Sequence, residues 1–131
     1  MRNRAVVLAW AGFALSVAAS LAQTSGSSFS SAVQPIFDRN CTKCHGMKDQ
    51  KAKLNLSYGN AYAALVNVPS TEVPGILRVK PGDPEASYLW LKLEHRAPKG
   101  SGMPKGFFFA GHLNRQDMDA IKAWIAEGAQ P

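Results

Sequence analysis

"VQPIFDRNCTKCHG", residues 33–46, holds both cysteines of the chain and one of its three histidines. Val33, Ile36 and Phe37 recur at i, i+3 and i+4, so the stretch begins as a helix with one apolar face. Pro35 fits such a helix only near its start, because it lacks an N–H and fixes φ. The helix runs straight into Cys41. Two thiols and an imidazole then fall within five residues, at Cys41, Cys44 and His45.

Several chemistries use such residues. A disulfide between Cys41 and Cys44 would close a tiny loop and constrain little of the unfolded chain. A thioredoxin-like redox pair also reads C-x-x-C, but it belongs to a βαβ pattern. No alternating strand pattern of useful length occurs here. A zinc site would combine the two cysteines with His95 and His112, which lack the short histidine spacing of such sites. C-x-x-C-H is the attachment signature of c-type haem. The two thiols add across the vinyl groups on adjacent edges of the porphyrin, and the intervening residues space them to match. His45 follows directly, which puts its imidazole under the iron as proximal ligand.

The N-terminus supports export. "MRNRAVVLAWAGFALSVAASLAQ" has Arg2 and Arg4, an apolar run, then Ser20 and Ala22 at the −3 and −1 positions of a cut before Gln23. That is the layout of a secretory signal peptide over residues 1–22. A retained anchor is the alternative, for which the alanine-rich run is marginal. Residues 23–31, with "TSGSSFSS", read as a flexible leader. Residues 32–131 then form a single domain. The expected location is periplasmic or otherwise exported. Removing the signal takes away two arginines and no acid, so the formal charge drops from +6 to +4. That modest excess suits a basic face meeting an acidic protein. No arginine-rich helix or interleaved aromatic-basic motif argues for nucleic acid.

The remaining elements are short. Ser57 reads as the cap of a helix over 57–67, weakened by Gly59. Residues 68–84 contain four prolines and two glycines and read as an irregular crossing. Asp83 as N-cap and Pro84 at N1 open the next helix, with Ala86, Leu89, Trp90 and Leu93 as its apolar stripe. Asn114 caps the last helix, with Asp117 three residues on, and Met118, Ile121, Trp124 and Ile125 line one side up to Gly128. The fold class is all-α, with three or four short helices and long loops. So small a core gains from a bulky apolar group at its centre.

The iron's second axial position has several candidates. Met47 follows His45 too closely to reach the opposite face. Met118 lies on a helical stripe and reads as core filler. His95 and His112 read as ordinary surface or hydrogen-bonded histidines. Met103 sits in the Gly/Pro loop "GSGMPKG", off any stripe, with ample chain to wrap to the far face. Phe107, Phe108 and Phe109 read as core packing or as cover for a haem face. Lys43, Lys48, Lys51 and Lys53 cluster around the motif as a solvated loop or a docking face.

Taken together, "VQPIFDRNCTKCHG", "PGDPEASYLWLKL", "GMP" and "LNRQDMDAIKAWIAEGA" resemble the class I monohaem cytochromes c, and within them the planctomycete-type cytochrome c domain. The resemblance runs from Val33 to Ala129. It implies a cytochrome c-like fold wrapped around one covalent haem c, with iron. It implies thioethers at Cys41 and Cys44, proximal ligation by His45 and distal ligation by Met103. It implies an electron carrier rather than an enzyme, working with redox partner proteins as a monomer or as a subunit of a redox complex. The alternative is a haem-based enzyme or gas sensor with an open or labile distal position.

Overall fold

The computed structural model describes residues 28–106 and 111–131. The signal segment and Phe107–Phe109 thus lie outside the described residues. Four α-helices stand among those described: α1 (Gln34–Asn40), α2 (Ala61–Leu65), α3 (Tyr88–Leu93) and α4 (Arg115–Ala126). Isolated bridges such as Val66 with Val79 and Leu77 with Ser87 join the loops, and no strand occurs among the described residues. The class is all-α, as the periodicity predicts.

A single π-helical turn, Phe29–Val33, leads into α1. It begins three residues ahead of the domain boundary expected at 32, because Phe29 is buried. Pro35 occupies the first turn of α1, where its missing N–H costs no helical bond. Val33, Ile36 and Phe37 are all buried on one face. The helix stops at Cys41, whose N–H donates to the Phe37 carbonyl at 2.8 Å.

Two helices begin later than their sequence signals suggest. Asp83 does not cap α3. Its carboxylate accepts the Ala86 N–H at 3.1 Å, closing a turn ahead of the helix. Ser87 is fully buried there, its hydroxyl donating to the Asp83 carbonyl at 2.8 Å while the Lys80 N–H donates to it at 2.9 Å. Tyr88 N–H then donates to Leu77 O. These ties to residues 77–80 hold Ser87 extended, so α3 starts at Tyr88. In α2, Gly59 takes φ +78, a left-handed turn that delays the helix to Ala61.

Helix α4 behaves as its sequence predicts. The Asn114 side chain accepts the Asp117 N–H at 2.8 Å and donates back to the Asp117 carboxylate at 3.0 Å. Arg39 of α1 reaches the same carboxylate at 3.1 Å. Gly128 ends the helix at φ +100. Replacing Asn114 with alanine removes the cap, and the expected cost is about 1 kcal/mol. A thermal melt should move down by roughly 4–8 °C.

The core joins α4 to the π-helical turn and α1. Trp124 is 1% exposed. Its ring centroid lies 5.1 Å from that of Phe29, which lies 5.9 Å from Phe37 and 5.5 Å from Tyr62. Ile121, Ile125, Leu65 and Val79 fill the rest of the interior. This packing fixes the end of α1, and so the place where the C-x-x-C-H turn begins.

Candidate functional site

Cys41, Cys44 and His45 form one turn on the end of α1. The N–H groups of Cys44 and His45 both donate to the Cys41 carbonyl, at 3.1 and 2.9 Å. Gly46 comes next, tight against the turn. A Cβ there would stand 2.2 Å from the Thr42 carbonyl oxygen, so no side chain fits without opening the motif. Both thiols are partly exposed and unbridged.

The loop after the motif folds back onto it. Gly46 N–H donates to Asp49 O, Lys51 N–H to Cys44 O, and Leu56 N–H to His45 O. Ala52 and Lys53 adopt left-handed backbone angles, φ 57 and 52. The Lys51 carbonyl consequently faces the histidine and lies 2.9 Å from Nδ1. A carbonyl only accepts, so Nδ1 must carry the proton. That assigns the tautomer. Nε2 keeps its lone pair for a metal, on a ring held at a fixed angle by the other nitrogen.

Burial, and then the Asp38 charge, push the Cys41 thiol up to about 12. A thiol-exchange centre needs the opposite, a thiolate stabilised near neutral pH. The geometry also separates the zinc candidates. His95 stacks on His112 with ring centroids 4.3 Å apart, and its Nε2–H donates to the Gly111 carbonyl at 2.8 Å. No group of three or more His, Cys, Asp or Glu gathers among the described residues in a form that could hold a metal ion.

The methionines divide clearly. Met47 is 75% exposed next to the motif. Met118 packs against the core from α4. Met103 is half-buried in the loop that follows α3, and its N–H donates to the Lys92 carbonyl at 2.8 Å. Its neighbour Gly102 lies under the His95 ring so closely that a Cβ would meet the ring at 2.3 Å. Met103 is therefore anchored to α3, not to the C-x-x-C-H turn.

Two participants escape sequence reading. The Lys51 carbonyl is main chain, and only its fold-back position gives it a role. Lys92 belongs to none of the motifs read from the sequence, yet it is 7% exposed. Its one local signal is Tyr88, four residues earlier on the same helical face.

The geometry defines a small all-α domain with a thiol-thiol-imidazole turn and an imidazole nitrogen set free for a metal. The sequence pattern of the cytochrome c family matches residues 30–129, and the chain belongs to that family. No curated protein and no solved structure matches it significantly. Membership implies covalently bound haem c with iron, and a haem-binding electron-carrier role with redox partners. The residues present fit that group. Two partly exposed thiols at the attachment spacing stand beside an imidazole whose Nε2 is available. No helix among the described residues is long and apolar enough to cross a membrane.

Proposed function

We propose that this chain is an exported carrier of single electrons with one haem c, of the planctomycete type. Cys41 and Cys44 would hold the group through thioethers, and His45 and Met103 would ligate its iron. The observation that supports this reading is the bond from His45 Nδ1 to the Lys51 carbonyl, which leaves the Nε2 lone pair free for a metal. With both axial positions filled, the group would supply a one-electron iron couple, its potential raised by methionine, and no open site for substrate.

The chain's own work is to hold and to shield. The Lys51 carbonyl fixes the imidazole. The Lys92 carbonyl anchors the Met103 backbone. Lys43, Lys48, Lys51 and Lys53 are all exposed around the motif, which suits docking with an acidic redox partner. Residues 1–22 serve as a cleaved signal peptide, 23–31 as the leader and 32–131 as the haem domain. The protein is not an enzyme by itself.

The test is the visible spectrum of the oxidised protein, made in cells that attach haem c. Wild type is expected to show the weak red sulfur-to-iron band, and Met103→Ala to lose it while keeping its haem. A haem spectrum without that band in wild type removes Met103 from the iron. An open-site enzyme or gas sensor then becomes the reading.

A further inference from the structure

We propose that Lys92, with Glu72 and Tyr88, is the positioning device that holds the Met103 loop in place, so that the iron keeps its distal ligand. The inference rests on the reading of Met103 as that ligand.

Lys92 lies on α3 between Leu91 and Leu93, and its ammonium is nearly closed off from water. An ammonium has three protons to place. Three acceptors receive them: the Glu72 carboxylate at 2.5 Å, the Lys99 carbonyl at 2.7 Å and the Ser101 carbonyl at 3.1 Å. A buried charge is tolerated when it is paired and fully hydrogen-bonded in this way. A leucine at position 92 would fill the same space without that cost. What the lysine adds is a grip on two carbonyls of the loop that ends in Met103.

The surroundings are built for the same contact. The Tyr88 hydroxyl lies 2.8 Å from both Glu72 Oε2 and the Lys99 carbonyl, and its one proton can serve either. Ser70 sets the far side, its hydroxyl accepting the N–H groups of Glu72 and Val73 at 3.2 and 3.3 Å. Gly100 crosses directly above the pair at φ +73. A Cβ there would meet Glu72 Oε1 at 2.6 Å and Lys92 Nζ at 2.7 Å. The loop thus needs both a left-handed residue and an absent side chain to settle on the ammonium. Met103 N–H closes the set on the Lys92 carbonyl.

Two pKa shifts agree with an ionised Glu72 held by hydrogen-bond donors. Burial, then the hydrogen bond and charge of Glu72, push the Tyr88 phenol up to about 12, so it stays a donor. Burial alone would raise Glu72, but hydrogen bonds from Lys92 and Tyr88 and the charges of Lys92 and Lys99 outweigh it and hold the carboxyl below its usual range. A depressed carboxyl contributes stability above its unfolded pKa and loses it as pH falls through the folded value. The clamp is therefore complete at neutral pH.

The experiment titrates imidazole into the oxidised holoprotein and follows loss of the sulfur-to-iron band. Imidazole reaches the iron only when Met103 is away, so its apparent affinity reports how often the loop opens. Losing two bonds to a charged donor should open the loop enough that Lys92→Met binds imidazole about tenfold more tightly or better. Gly100→Ala, which lifts the loop while leaving Lys92 and Glu72 intact, should act in the same direction and serves if Lys92→Met does not fold. Asn114→Ala, a destabilised control whose side chain bonds to Asp117 and to none of the clamp groups, should leave the imidazole affinity unchanged. If wild type has the band and both clamp variants bind imidazole as wild type does, Lys92 does not position the ligand. If wild type lacks the band, the ligand reading itself fails, and the two failures are separate. Equal gains in Asn114→Ala and in the clamp variants would reduce the network to general stability and also overturn the proposal.

Discussion

With Cys41 and Cys44 both replaced by alanine, the protein is expected to carry no haem through a denaturing gel, against full haem staining of wild type made in the same cells. The thiols are the only two in the chain. They sit on one turn, tied by the Cys44 and His45 N–H groups to the Cys41 carbonyl. A thioether survives denaturation, whereas axial ligation does not outlast unfolding of the chain that supplies the ligands. Intact mass reads the same result: wild type gains the mass of one haem and the double variant gains none. Each single variant keeps one thioether and is expected to stain more weakly than wild type. Covalent haem in the double variant would place attachment elsewhere and defeat the motif reading. Wild type that emerges with two titratable thiols from haem-attaching cells would favour a thiol module instead.

What could be read from the sequence was local. The C-x-x-C-H turn needs only five consecutive residues, and α4 declares itself through Asn114, Asp117 and the Ile121, Trp124, Ile125 stripe. The start of α3 was not legible, because it depends on residues 77–80. Asp83 and Pro84 look like a cap and a first helical position, yet Ser87 is drawn into bonds with Lys80 and the helix waits for Tyr88. The partner of His45 was hidden for a different reason. A backbone carbonyl has no residue signature, and this one is aimed by left-handed angles at Ala52 and Lys53, residues that rarely adopt them. Lys92 was hidden because lysine is seldom buried. Only three acceptors brought from Glu72, Lys99 and Ser101 make its burial tolerable, and two of them are main chain. The Met103 loop is thus the part least visible in sequence, since hydrogen bonds to α3 hold it instead of a motif.

Trp124→Ala is expected to be the most destabilising single change, and its effect should extend to the haem turn. The indole is buried against Phe29 and faces Tyr62, and its N–H donates to the Gln130 carbonyl at 2.7 Å. Truncation leaves a cavity and an unpartnered carbonyl, costing about 3–5 kcal/mol. A domain of this size has roughly 5–15 kcal/mol in total, so about a fifth or more of its stability is at stake. In a chemical denaturation of the holoprotein the midpoint should fall sharply with little change in slope. Met47→Ala, at an exposed position, should stay within about 0.5 kcal/mol of wild type. The link to the site runs through the aromatic cluster. Trp124 holds Phe29, Phe29 packs on Phe37, and the Phe37 carbonyl receives the Cys41 N–H where α1 ends. Loosening the first member frees the last, so the yield of covalent haem should drop along with stability. Trp124→Phe keeps an aromatic ring and should recover most of both. A Trp124→Ala protein within about 1 kcal/mol of wild type would mean that this cluster does not anchor α1, since core truncations of this kind rarely cost so little. The C-x-x-C-H turn would then owe its geometry to its own hydrogen bonds and the fold-back of residues 46–56.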